Sequence, residues 1–118
     1  MKTNESIHFQ AILNFPDYFI SDTGIVKHIE YIIDDEDGSV YSFKETEIKP
    51  YFNEEGFLVV KLKDFGTNFI CYVHELVADA FNEIDESSVI RDSVRHIDGD
   101  VTNNCVGNLQ FIKDGVVL

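Results

Sequence analysis

The chain has 118 residues, 44% of them hydrophobic, with ten Phe and five Tyr. That is enough to fill the core of one ordinary domain and too much for a disordered chain. Nine Lys and Arg stand against 22 Asp and Glu, a formal charge of −13; a protein that lies on duplex DNA gains affinity by neutralising phosphates, so this balance argues against strong non-specific DNA binding, although acidity alone also keeps a small protein soluble.

No apolar stretch approaches the roughly 20 residues of a membrane-spanning helix. The start, Met1-Lys2-Thr3-Asn4-Glu5, is too polar for a signal peptide, so the expected location is the cytoplasm. Cys71 and Cys105 lie outside any Cys-x-x-Cys frame and predict buried free thiols rather than a zinc knuckle or disulfide. Pro occurs only at 16 and 50 and there are no internal repeats, so residues 1–118 are expected to form a single domain, with an N-terminal β portion at 8–52 and a second portion at 56–112.

In chain order, Gly24 to Ile32 and Val40 to Lys44 read as strands joined by a turn at Asp34-Asp35-Glu36-Asp37-Gly38-Ser39. A second hairpin pairs Phe57–Lys63 with Phe69–Val73 around a turn at Asp64 to Asn68. Val60 and Leu62 alternate with Lys61 and Lys63, giving one buried and one wet face. Val73, Leu76, Val77, Ala80 and Phe81 then recur at steps of three and four, which predicts an amphipathic helix over His74 to Asn82. A polar stretch, Glu83 to Ser88, leads to an apolar segment ending at His96, a turn at Asp98-Gly99-Asp100 and a last strand near Leu109 to Ile112. The fold class expected is α+β: an antiparallel, hairpin-rich N-terminal sheet, one helix, and a compact ββα-like remnant with a truncated last helix.

The segment Val94-Arg95-His96-Ile97-Asp98-Gly99-Asp100-Val101-Thr102-Asn103-Asn104, continued by Asn108-Leu109-Gln110-Phe111, resembles the second half of the HNH motif of phage homing endonucleases. Val73-His74-Glu75-Leu76-Val77-Ala78-Asp79-Ala80-Phe81 is similar to the His-Arg-Leu-Val-Ala helix of that family. Phe9, Ile12 and Asp17-Tyr18-Phe19-Ile20-Ser21-Asp22-Thr23-Gly24-Ile25-Val26 resemble the small module that often precedes it, with Phe9 where Trp is usual. The three pieces stand in the family's order.

The resemblance implies a general-base role for His96, with one divalent metal steadying the scissile phosphate. The same family holds its metal with a carboxylate just before that His and an Asn or His on a following helix. Here the first position is Arg95, and counting on by the family spacing reaches Val117. A guanidinium cannot ligate a metal. At about 4 Å and an effective dielectric of about 20, each unit charge of the ion would meet roughly 4 kcal/mol of repulsion. Asp98 and Asp100 are the substitute carboxylates, and both read as turn residues.

His74 reads as a core histidine tying helix to turn. Asn104 and Asn108 read as residues satisfying backbone groups of the tight connection. Glu75 stands where the family often has Arg. No metal or other cofactor is expected, with Mg2+ the alternative if the site is active.

Two functions follow. The first is a catalytically degenerate, phage-type acidic protein that binds and inhibits a host nucleic-acid enzyme, as an anti-CRISPR or other anti-defence inhibitor presenting a DNA-like charge to a basic groove. Its partner-binding residues would be Asp34, Asp35, Glu36 and Asp37 in the first hairpin, with Glu83, Asp85 and Glu86 after the helix; either run is also simply a solvated face. The alternative is an active metal-dependent HNH nicking endonuclease, which requires a further metal ligand and DNA binding despite the net charge. A basic face would need Lys44, Lys49, Lys61 and Lys63 to cluster on neighbouring strands.

Overall fold

The computed structural model describes residues 7–81 and 93–117. Strands β1 (Phe9–Ile12), β2 (Phe15–Ser21), β3 (Val26–Ile33) and β4 (Val40–Ile48) form one antiparallel sheet in that order. Strands β5 (Tyr51–Phe52), β6 (Leu58–Asp64) and β7 (Thr67–Tyr72) form a second. Helix α1 (Val73–Phe81) follows without a linker. Beyond it, β8 (Ser93–His96), a 3-10 turn at Val106–Asn108, β9 (Leu109–Lys113) and β10 (Val116–Val117) make a third sheet in the order β10-β9-β8.

Both expected hairpins and the helix are present, with shifted edges. Gly24 has φ +99° and belongs to the turn, so β3 starts at Val26, whose partner is Ile48; this pairing carries β4 four residues past Lys44. The second hairpin is tighter than expected. Asp64 pairs with Thr67, leaving Phe65 (φ +52°) and Gly66 (φ +78°) as a two-residue loop; two central residues at positive φ match the right-handed twist of the flanking strands. Phe65 is left 98% exposed.

The expected truncated helix after the last strand is instead a strand. Lys113 pairs with Val116 across Asp114 (φ +54°) and Gly115 (φ +79°), and Asp-Gly favours a tight reversal over helix continuation.

The core draws on all three sheets. Ile12, Ile20 and Val26 from the first sheet meet Val60 and Leu62 of β6, Val73, Val77 and Ala78 of α1, and Leu109 and Phe111 of β9. Val60 and Leu62 are buried while Lys61 and Lys63 are exposed, the two-faced strand that alternation predicts. Helix α1 buries Val73, His74, Val77 and Ala78; its stripe of three- and four-residue steps faces this core.

Candidate functional site

The site is built where β8 leaves the third sheet. His96 closes β8 opposite Leu109 and is nine-tenths buried. Its Nε2 lies 2.7 Å from Asn104 Oδ1, within the same loop. An amide oxygen accepts and does not donate, so Nε2 carries the hydrogen and the lone pair of the neutral imidazole sits on Nδ1. In this tautomer Nδ1 holds the lone pair that accepts a proton in general-base chemistry.

His74, on the first turn of α1, packs its ring against this imidazole at a tilt of 58°, with 4.9 Å between ring centroids. Phe57 and Tyr72 complete the packing, 5.3 and 5.2 Å from His74, and Phe57 lies 6.3 Å from His96. The buried His74 thus packs against the side of the His96 ring. Phe57 and Tyr72 carry no sequence signal beyond membership of strand-like runs; the Asn53–Phe57 hydrogen bonds and the Val59–Tyr72 pairing place them against the imidazoles.

The loop from Ile97 to Asn108 is held by the Asp98 carboxylate. Asn103 Nδ2 donates to its Oδ2 and Asn108 Nδ2 to its Oδ1, both at 2.9 Å, and the Asp100 N–H donates at 2.8 Å. Asn108 Oδ1 in turn accepts from the Asp98 N–H at 3.1 Å, and its Nδ2 donates to the Asn103 carbonyl at 3.0 Å. These donors, Asn103 foremost, hold the Asp98 carboxyl below its ordinary range. Asp100 is also lowered, chiefly by the Thr102 hydroxyl at 2.7 Å and then by the Thr102 N–H.

Asn108 thus satisfies backbone groups of the connection. Asn104 does not follow that expectation: its side-chain oxygen serves the His96 ring, because the loop turns it inward to a buried position. The N-terminal module braces the same loop. The Val106 N–H donates to the Asp22 carbonyl at 2.9 Å, and Gly24 lies so close that an added Cβ would stand 3.3 Å from Asn104 Cβ and 3.4 Å from Val73 Cγ1.

Arg95 precedes His96 on β8, opposite Gln110, with its side chain exposed. Among the described residues it has no ion-pair partner, and no three or more His, Cys, Asp or Glu come together as a metal-binding group. The two nearby carboxylates, Asp98 and Asp100, are engaged in turn hydrogen bonds. Arg95 cannot ligate a metal, and both carboxylates of the loop already accept hydrogen bonds within their own turn.

The remaining sequence expectations divide. Asp34 and Asp37 cap their own turn: Asp34 Oδ1 accepts from the Glu36 N–H at 2.8 Å, and Asp37 Oδ1 from the Ser39 N–H and hydroxyl at 2.9 and 2.6 Å. Asp35, Glu36 and Asp37 are exposed. Glu83, Asp85 and Glu86 lie outside the described residues. The strand arrangement a basic face would need is not formed: Lys44 is on β4 of the first sheet and Lys61 and Lys63 are on β6 of the second. Cys71 is half-buried but Cys105 is exposed, because it sits at the start of the surface 3-10 turn rather than on a packed strand. No helix among the described residues is long and apolar enough to cross a membrane.

No protein-family model and no curated protein matches the sequence. Among solved structures, the chain is similar to the HNH homing endonuclease I-HmuI, from a study of its DNA binding and cleavage, with a TM-score of 0.64 and 25% identity. The likeness covers 90% of this chain and 52% of that one, so the chain spans about half the length of the endonuclease it matches. The chain thus has an HNH-type endonuclease fold.

Proposed function

We propose that this chain is an HNH-derived acidic protein that binds and inhibits a nucleic-acid enzyme of a bacterial host, an anti-CRISPR or other anti-defence inhibitor, rather than a metal-dependent nuclease. The observation that carries the reading is the Arg95–His96 pair: a fixed cation stands where the family presents a carboxylate to its metal. The net charge of −13 and the exposed carboxylates at the β3–β4 turn support a partner with a basic, phosphate-shaped groove.

Incubation of the purified protein with supercoiled plasmid and Mg2+ or Mn2+ tests it. No nicking is expected. Its DNA affinity near physiological salt should be weak and lack a steep salt dependence. Cleavage that disappears in His96→Ala would overturn the reading.

A second reading, an active HNH nicking endonuclease using Mg2+, is favoured by one observation. The His96–Asn104 hydrogen bond preserves the tautomer of a general base. Under it, Arg95→Asp should increase metal-dependent nicking; under the first reading it does not.

A further inference from the structure

The face of the first sheet that turns away from the core is apolar and unpartnered among the described residues. Phe9, Phe19, Ile29, Tyr31 and Phe43 line a concavity of about 300 Å³ on it. Direct register partners share a face, so Phe19 opposite Lys27 and Tyr31 opposite Phe43 place these side chains on one side. The single lysine there is already neutralised: Lys27 Nζ lies 2.8 Å from Glu45 Oε1 and 4.7 Å from the centre of the Phe9 ring.

Two residues along β3 from Tyr31, Ile33 lies on the same face, where it lines a second concavity with Tyr41, Asp34, Asp35 and Glu36. The aromatic groove and the acidic cup thus lie on one hairpin, with a register shift at Ile32/Ile33 between them. Strand β4 is last in its sheet, and eight of its nine residues are exposed, with Tyr41 at 68% and Phe43 at 59%. A long edge strand of this kind offers its outward N–H and C=O groups to an added chain.

We propose that this hairpin is the docking edge for an extended basic segment of a protein partner, which pairs with β4 and lays alternate apolar side chains across the aromatic groove while Lys or Arg residues at its end nearest the β3–β4 turn meet the acidic cup. Charge selects this occupant. Residues 26–48 carry seven Asp and Glu against two Lys, which repels both a phosphate backbone and a second copy of the same edge. The inference rests on the proposed function only in taking the partner to be a basic protein.

The test uses the full chain and a synthetic nine-residue peptide of alternating Thr and Val or Ile with two Lys at each end, with the same peptide N-methylated at alternate residues as a control that cannot complete a strand. Amide hydrogen exchange should show protection along β4. Affinity should fall about tenfold or more for the N-methylated peptide and for Phe43→Ser, the loss expected when an anchor or strand pairing is removed; an unchanged far-UV spectrum shows that this variant is folded.

Equal affinity for the two peptides, protection elsewhere, or no binding would overturn the proposal. So would duplex DNA or self-association, rather than the peptide, protecting β4. If the peptide fails while a purified basic nuclease still binds in a salt-dependent way, the docking edge is wrong and the inhibitor reading stands. If the peptide pairs with β4 but no basic nuclease is bound or inhibited, the edge stands and the inhibitor reading falls.

Discussion

Asn104 Oδ1 and His96 Nε2 are 2.7 Å apart inside the loop that follows β8, and both residues are buried. Asn104→Ala would leave the imidazole N–H without that acceptor in a site sealed by Phe57 and His74. A loss of about 1–3 kcal/mol in unfolding free energy is expected, the usual consequence of stranding a buried donor. Urea denaturation checks it. An unchanged midpoint would mean that the bond contributes nothing to the native state.

Gly24 is required twice, by its φ of +99° and by its contact with Asn104 and Val73. Gly56 has a similar φ of +90° with open space around it. Gly24→Ala should therefore be the more destabilising of the two, with a loss above about 1 kcal/mol, because backbone strain is joined by crowding. Equal denaturation midpoints for the two variants would show that the N-terminal module is not packed against the loop as described.

The Asp98 carboxyl is held low by Asn103, by the Asp100 N–H and by Asn108. A depressed folded-state value stabilises the protein above the unfolded value, about 3.9, and that contribution is lost as pH falls through the folded value. The stability difference between the native chain and Asp98→Asn should be flat from neutral pH to about 5 and shrink below about 4. Denaturant midpoints across that range measure it; a difference independent of pH would dismiss the carboxylate as the hub of the loop.

The two thiols should differ in reactivity. Burial pushes the Cys71 thiol up, with the Glu75 carboxylate adding to the effect, whereas Cys105 is exposed. At slightly alkaline pH, iodoacetamide should label Cys105 first, and Glu75→Gln should speed labelling of Cys71. Mass spectrometry of timed samples reads both rates. Faster labelling of Cys71 in the native chain would contradict the packing of β7.

By itself, the sequence determined what depends on local period and turn chemistry. Val73, Leu76, Val77, Ala80 and Phe81 specify a helix because a 3.6-residue repeat places them on one stripe. The Lys61 and Lys63 alternation specifies a two-faced strand, and the order of the His74, His96 and Asn108 segments identifies the fold seen in I-HmuI. Tertiary structure decided which groups meet. That Asn104 serves His96 rather than the backbone, that Phe57 and Tyr72 pack on His74, and that Gly24 of the N-terminal module braces the loop are contacts between segments up to about eighty residues apart, set by sheet register and shared burial rather than by any local pattern. The same holds for the C-terminal strand. From the sequence a truncated helix is expected after β9, and pairing of Val116 and Val117 with β9 makes a reversal at Asp114-Gly115 instead.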